Sequence, residues 1–351
     1  MIIEDLVEKG GSDLHISNKL PPIARIDGKL VRLDYDPLTP EGVENLLFPM
    51  MSNEQRRHLE QEWELDFSYG VENIGRFRVN FYKDKGCYAA AFRTIATTAP
   101  QLEELGMPPI VTQIADKPRG LVLVTGPTGS GKSTTLAAMV DYINRTRAEH
   151  ILTIEDPVEF VHTSKVSIIH QRELGMDTRS FANALKSALR EDPDIILVGE
   201  MRDHETIALA LTAAETGHLV FGTLHTSSAS QTIDRIIDVF PEGQQQQIRV
   251  QLANSLVAVF SQTLLPKRQP DGTRKGRIMA QEIMVVTPAV ANLIREAKAA
   301  QIYSTIQTSS GAGMQTLEAA LADLFKKGLV TIEDALAKSS KPAELKRLIQ
   351  G

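Results

Sequence analysis

The sequence predicts an α/β protein whose larger domain has a mostly parallel sheet covered by helices and whose smaller, N-terminal domain is α+β. The chain has 351 residues, more than one compact core normally accommodates. Between residues 120 and 224, apolar runs of strand length alternate with helical segments, which is typical of parallel sheets. Apolar residues make up 42% and charged residues 23%, a composition that favours globular domains over disorder or coiled coil.

The N-terminal part shows the signals of a small module. Residues 13–95 contain short alternating apolar runs, and Thr39 and Ser52 are each followed by acidic first-turn residues typical of helix starts. Residues 99–112 combine three prolines and a glycine without a strand pattern, which indicates a linker. The predicted organisation is therefore a domain at 1–98, a linker at 99–112 and a second domain at 113–351.

The second domain begins with the alternating strands and helices and ends in a helical region. After Glu242 the pattern is interpreted as helical to Leu265, followed by a turn at residues 270–272. Further helices are predicted at 288–300, 316–327, 332–337 and 342–349.

Charge and composition exclude several classes of protein. The 38 basic and 44 acidic residues give a formal net charge of −6, so no overall excess attracts nucleic acid or anionic lipid. No apolar run approaches the ~18 residues of a membrane-spanning helix, and the acidic start does not fit a signal peptide. The lone Cys87 excludes zinc sites with two or more thiolates and fits a reducing compartment. We expect a cytoplasmic protein without a transmembrane segment.

A phosphate-binding loop is the most specific motif. Residues 126–133 match G-x-x-x-x-G-K-[ST], follow an apolar strand and open a helix. Glycines let backbone N–H groups converge on phosphates, and the helix N-terminus adds positive potential. Lys132 would reach the β- and γ-phosphates, and the Ser133 hydroxyl would ligate Mg²⁺. The nucleotide-binding residues are Gly126, Pro127, Thr128, Gly129, Ser130, Gly131, Lys132, Ser133 and Thr134.

Carboxylates follow the strand near residues 195–198. Glu200 is the candidate for polarising the water that attacks the γ-phosphate, and it would have to be ionised. The alternative is that a carboxylate here caps the following helix, a role that suits Asp203 well.

Two other strand ends carry polar side chains, as expected if the strands share one edge of the sheet. Residues 155–159 supply Glu155, Asp156 and Glu159, and residues 222–227 supply His225 and several hydroxyls. A histidine is often structural, but one at a strand end beside a phosphate site is a candidate for function.

Arginines of the N-terminal domain could neutralise charge on the γ-phosphate. Arg76 and Arg78 are two residues apart on a strand and share a face, and Arg93 lies on a later strand. By residue pattern alone, they could equally be solvated strand arginines.

Three other nucleotide-dependent functions compete with that of a protein-driving ATPase. A nucleic-acid motor would need a basic surface, and residues 267–277 hold five cations around a Pro-Asp-Gly turn without aromatic residues for stacking, so a solvated hairpin is favoured. A GTPase is disfavoured because the sequence has no N-K-x-D segment. A non-hydrolysing scaffold stays an alternative, against which Lys132, Ser133 and Glu200 argue.

Together the segments resemble a known family. The sequences at 126–133, 154–162, 198–203 and 222–229 resemble, in order, the Walker A, Asp-box, Walker B and His-box segments of type II/IV secretion ATPases. Within that family the chain is most similar to motors that retract type IV pili.

The resemblance implies a RecA-like motor domain, a PAS-like N-terminal domain and a hexameric ATPase that uses ATP and Mg²⁺ to power pilus retraction and twitching motility. It implies catalytic roles for Glu200 and Glu159, the latter near Mg²⁺, directly or through water. It places His225, Arg76, Arg78 and Arg93 at the nucleotide. Implied partners are an inner-membrane platform protein and a paralogous retraction ATPase, with the chain peripherally at the membrane at the pilus base. An accessory retraction paralogue is the alternative function.

Two features of the sequence help to distinguish retraction motors from the other members of this family. Retraction motors carry A-I-R-N-L-I-R-E near the C-terminus, whereas this chain has Val290 and Ala291 in place of the first Ile and Arg. Alanine cannot replace the guanidinium donors, although the helix itself is expected to persist. The single cysteine separates the chain from extension and type II secretion relatives, which usually carry a four-cysteine zinc module.

Overall fold

The computed structural model describes residues 2–26, 28–72, 74–96 and 98–350; the outer ends of the predicted domains, residues 1 and 351, lie outside them. The chain divides into two units, one formed by residues 1–98 with 157–161 and the other by 99–156 with 162–351. Each has its own sheet, with six strands in the first and seven in the second. Among the described residues, no helix has both the length and the apolar composition to cross a bilayer.

In its described residues, the first unit is an antiparallel sheet with three α-helices and a short 3-10 helix. Its strand order is β3-β2-β1-β6-β5-β4, and its core is built around Phe77, Val79 and Phe81, which alternate with exposed or half-buried residues. The elements are α1 (Ile2–Glu8), β1 (Asp13–Ile16), β2 (Ile23–Ile26), β3 (Lys29–Arg32), α2 (Pro40–Leu47), α3 (Asn53–Glu62), β4 (Glu64–Val71), β5 (Gly75–Asp84) and β6 (Cys87–Ile95).

Both predicted helix starts of this unit are confirmed. The Thr39 hydroxyl accepts a hydrogen bond from the Gly42 N–H at the start of α2. Ser52 and Gln55 form a reciprocal capping box at the start of α3.

The second unit confirms the predicted α/β class with a mostly parallel sheet. Its strand order is β13-β12-β7-β11-β10-β8-β9, and all neighbours are parallel except β12 and β13. The elements are α4 (Pro109–Ala115), β7 (Gly120–Thr125), α5 (Lys132–Thr146), β8 (His150–Glu155), β9 (Ile168–Glu173), α6 (Phe181–Ala188), β10 (Ile195–Val198), α7 (His204–Glu215), β11 (Leu219–Leu224), α8 (Ala229–Asp238), α9 (Glu242–Ser255), β12 (Leu256–Arg268), β13 (Arg274–Val285), α10 (Pro288–Arg295), α11 (Ile302–Thr308), α12 (Leu317–Lys326), α13 (Ile332–Lys338) and α14 (Pro342–Gln350).

Helices cover both faces of this sheet, and its central strands are buried on both sides. In β7, Leu121 and Leu123 pack in one core with α6 to α9, whereas Val122 and Val124 pack in another with α4 and α5. All six residues of β7 are buried. This explains why the strand is a continuous apolar run rather than an alternating one.

The prediction of a helix continuing to Leu265 is wrong. Helix α9 ends at Ser255, and the next residues form the 13-residue strand β12. Its β-branched and aromatic residues pair with β7 on one side and β13 on the other, and these long-range pairings decide the structure over the local pattern. The turn predicted at 270–272 is confirmed as the tip of the β12–β13 hairpin, where Gly272 has φ +83°.

The segment 99–112, predicted as a linker, is packed within the second unit. Leu102 and Val111 are buried in the core of the second unit, and α4 begins at Pro109. The apolar residues among the prolines anchor this segment against α5 and β7 rather than leaving it solvated.

Helix α10 persists without the family arginine, as predicted. The Thr287 hydroxyl caps it by accepting from the Val290 N–H, and Ala291 is buried in the core at 6% exposure. Arg295, at the end of the helix, donates to Asn254 Oδ1 at 3.2 Å.

Candidate functional site

The glycine-rich loop lies between the buried strand β7 and helix α5. Gly126, Gly129 and Gly131 have φ values of +140°, +77° and +90°, in the region that L side chains rarely adopt. A Cβ on Gly126 would lie 2.3 Å from the Gln262 carbonyl oxygen, so glycine is also required sterically. The loop can therefore keep its backbone N–H groups close to a ligand at the start of α5.

Lys132 folds back over this loop. Its Nζ donates to the carbonyl oxygens of Gly126 at 2.8 Å and Pro127 at 3.3 Å. The Ser133 hydroxyl lies in the first turn of α5, half-buried. An ammonium and a hydroxyl at one helix start suit phosphate and a hard, oxygen-preferring cation such as Mg²⁺.

Within the described part of the chain, one buried polar atom of the loop lacks a hydrogen-bond partner. This atom is the Ser130 Oγ. Buried polar atoms are normally paired, so an unpaired hydroxyl in this loop fits a site that completes its hydrogen bonding with a ligand.

The carboxyl ends of the parallel strands meet at the same edge of the sheet as this loop. The Gly126 N–H donates to Leu224 O at the end of β11, at 3.3 Å, and the Gly199 N–H donates to Ile154 O of β8, at 2.7 Å. A Cβ on Gly199 would lie 3.1 Å from Glu155 Cα, so these two strand ends approach closely. The loop, His225 and Glu200 are thus brought together on one edge, as predicted.

Glu200 is engaged by two neighbours. Its Oε2 accepts from the Arg202 guanidinium at 2.6 Å, and His225 Nε2 lies 3.2 Å from its Oε1. The hydrogen bond from Arg202 lowers the pKa of Glu200, and the nearby His225 adds to this, while partial burial opposes it. Glu200 is therefore ionised at neutral pH, as its predicted role requires.

Arg202 is a functional neighbour that the motifs of the sequence do not indicate. Met201, between the two charged residues, is buried at 2% exposure, so Glu200 and Arg202 point to the same side. A Glu-x-Arg spacing around a buried residue after a strand is the signal that could have indicated this pair.

Asp203 adopts the alternative role considered for carboxylates here. It caps α7, because its two oxygens accept from the Thr206 N–H at 2.8 Å and the Thr206 hydroxyl at 2.9 Å. Burial opposes ionisation, but these hydrogen bonds outweigh it and lower the pKa of Asp203.

The acidic segment after β8 is divided between the two units. Glu155 Oε1 accepts from the Thr153 hydroxyl at 2.7 Å and from Gln171 Nε2 at 3.2 Å, within the second unit. Glu159 is exposed and belongs to residues 157–161, which group with the first unit, where Phe160 forms a parallel bridge with Ala96.

The three candidate arginines lie in the first unit, on one face of its sheet. Arg78 and Arg93 are directly opposite each other on β5 and β6, and Arg93 is in turn opposite Asp13 on β1. Arg93 donates to Asp13 Oδ1 at 2.9 Å, and Arg76 donates to the Ser68 hydroxyl at 2.9 Å. Arg78 pairs more loosely with Asp66, at 3.4 Å, than Arg93 does with Asp13.

The strand, glycine loop and helix define a P-loop nucleotide-binding protein. A family model described as "Type II/IV secretion system protein" matches residues 1–337, and the chain belongs to this family. "Type IV pilus retractation ATPase PilT" of Pseudomonas aeruginosa is 55% identical over 335 residues, 95% of this chain and 96% of the relative. "Type IV pilus ATPase PilU" of the same organism is 41% identical over 345 residues, 98% and 89% of the two chains. A crystal structure titled "Pilus Retraction Motor PilT and Bound ADP" has a TM-score of 0.91 at 50% identity and covers 99% of this chain and 98% of that one.

Proposed function

We propose that this chain is the ATPase that powers type IV pilus retraction. The single observation that carries the proposal is the 55% identity, over nearly the whole of both chains, to a relative of that name. The glycine loop with Lys132 at one edge of the sheet supports it independently, because this geometry suits a nucleoside triphosphate.

Each residue at this edge of the sheet has its own role in binding and hydrolysing ATP. Lys132 and the N–H groups of the loop bind the β- and γ-phosphates, and Ser133 holds Mg²⁺, which neutralises phosphate charge when bound. Glu200 orients and polarises the attacking water through lone pairs that remain beside its contacts with Arg202 and His225. His225 keeps the Oε1 of Glu200 oriented.

We extend the proposal to residues of the first unit. Glu159 would assist Mg²⁺ through water, and Arg76, Arg78 and Arg93 would neutralise charge developing on the γ-phosphate. Their position together on one face of the sheet supports this role. A nucleotide-bound structure of the assembled protein with no arginine facing a phosphate would exclude it.

The proposed assembly is a homo-hexamer at the cytoplasmic face of the inner membrane. It would act on the platform protein at the pilus base, so that cycles of hydrolysis are converted into removal of pilin subunits. Sedimentation of the purified chain with a non-hydrolysable ATP analogue tests the hexamer, and co-purification with the platform protein tests the contact.

An accessory retraction motor is the second candidate, since a second pilus ATPase, named PilU, is also similar to this chain, at 41% identity over nearly its whole length. The higher identity to PilT favours the main motor. Deleting the gene and imaging labelled pili separates them. Complete loss of retraction identifies the main motor, and a loss of force alone identifies the accessory one.

A further inference from the structure

A buried glutamine on β12 lies directly behind the phosphate-binding loop. Gln262 is 3% exposed, and its Nε2 donates to the Ser130 carbonyl oxygen at 3.0 Å. The same Nε2 would lie 3.3 Å from a Cβ on Gly131, and the backbone carbonyl oxygen of Gln262 would lie 2.3 Å from a Cβ on Gly126. One residue of a neighbouring strand thus contacts the loop near both of its ends.

The orientation of the Gln262 amide is set by two donors on its other side. The Thr135 hydroxyl, on α5, donates to Gln262 Oε1 at 3.0 Å. Gln281, directly opposite on β13, donates its Nε2 to the same oxygen at 3.2 Å. With Oε1 occupied by donors, the NH₂ group must face the loop, so the amide has one satisfied orientation.

Holding the Ser130 carbonyl also orients the next peptide N–H. In a trans peptide the C=O of one residue and the N–H of the next point in opposite directions. Fixing the Ser130 C=O toward the Gln262 amide therefore turns the Gly131 N–H away from β12. Gly131 is the N-cap of α5, so this N–H belongs to the group of donors available for an anion.

We propose that Gln262 is a positioning residue that holds the phosphate-binding loop in its binding conformation before nucleotide arrives. The inference rests on the proposed function only in that the loop binds ATP and ADP. Without the side-chain amide, the Ser130 carbonyl would lie buried without its donor, and the loop would relax to satisfy it. Nucleotide would then have to reorder the loop on binding, which weakens affinity.

The test compares Gln262→Leu with Ser261→Ala, the adjacent residue of β12. The Ser261 hydroxyl is also buried and is 2.8 Å from the Thr125 hydroxyl on β7, so its side-chain hydrogen bond is made to the strand and not to residues 126–131. The measurements are ADP affinity by fluorescence titration, KM and kcat for ATP, and the melting temperature of the nucleotide-free chain.

We expect Gln262→Leu to weaken ADP binding and raise KM by about 10-fold or more, with a smaller change in kcat because Lys132 and Glu200 are intact. Ser261→Ala should bind ADP within about 2-fold of the wild type, although it also loses a buried hydrogen bond. Equal ADP affinity in folded Gln262→Leu and wild-type chains would overturn the inference.

Thr135→Val provides a second route if Gln262→Leu does not fold. It keeps the shape of the side chain and removes one donor to Gln262 Oε1, and we expect a roughly 3-fold loss of ADP affinity. Unchanged affinity in this variant would then refute the role of Gln262. If the wild type itself binds no ADP, the proposed function fails together with the inference. If the wild type binds ADP and substitution of Gln262 leaves the ADP affinity unchanged, only the inference fails.

Discussion

Replacing Glu200 by glutamine separates hydrolysis from nucleotide binding. Glutamine has the shape of the carboxylate but no charge, so it cannot polarise water as an ionised group does. We expect turnover to fall by ~10²-fold or more, which corresponds to about 2.7 kcal/mol of lost transition-state stabilisation. Affinity for ATP should be retained, since the phosphate contacts of Lys132 and the loop are unaffected.

The contacts of Glu200 set an upper limit on how much the Glu200→Gln substitution changes the free energy of unfolding. The partner guanidinium of Arg202 is 68% exposed, and pairs with such exposure contribute about 0–1 kcal/mol. The free energy of unfolding should therefore change by no more than about 1 kcal/mol, far less than the barrier to hydrolysis.

The assay is steady-state phosphate release with Glu205→Gln as the matched control. Glu205 also forms an exposed ion pair, with Lys186 at 2.6 Å, but it lies on α7 and outside the sheet edge. The control should retain wild-type turnover. A Glu200→Gln chain that hydrolyses ATP within about 3-fold of the wild-type rate would refute the assignment.

Three further outcomes are expected. Lys132→Ala should abolish tight ADP binding in a fluorescence titration, and normal affinity would contradict the phosphate-binding assignment. Gly126→Ala should lower the free energy of unfolding in urea by about 2 kcal/mol or more, whereas Gly243→Ala, where the Cβ meets open space, should change it by less than about 1 kcal/mol. The pKa of Asp141 is lowered, because two cationic partners outweigh the effect of its burial. Its contribution to stability is therefore present above the unfolded pKa and lost as pH falls through the folded one. Asp141→Asn should be less stable than the wild type by about 1 kcal/mol near neutral pH and equal to it in acid, while Asp323→Asn, which removes an exposed pair, should change stability near neutral pH by less than about 0.5 kcal/mol.

The phosphate-binding loop could be predicted from sequence because its requirements are local. Glycines at fixed spacing, a preceding apolar run and a lysine at the helix start all lie within about a dozen residues. The conformations required at Gly126, Gly129 and Gly131 confirm why these positions are glycine. The helix starts at Thr39 and Ser52 were predictable for the same reason.

Features that depend on partners distant in the sequence could not be predicted. Residues 256–265 fit a helix locally, and only pairing with β7 and β13 makes them a strand. Gln262 lies in that segment, where a polar residue carries no local sign that its amide contacts a loop 132 residues away. The grouping of residues 157–161 with the first unit likewise depends on the bridge between Ala96 and Phe160.

Retraction of labelled pili in a deletion strain tests the central claim most directly. The strain would be complemented with the wild-type chain or with Glu200→Gln, each made at the same level. If the chain powers retraction by hydrolysing ATP at the edge of its parallel sheet, the wild type restores retraction and Glu200→Gln does not. Retraction at the wild-type frequency in the uncomplemented strain, or in the strain carrying Glu200→Gln, would contradict the account.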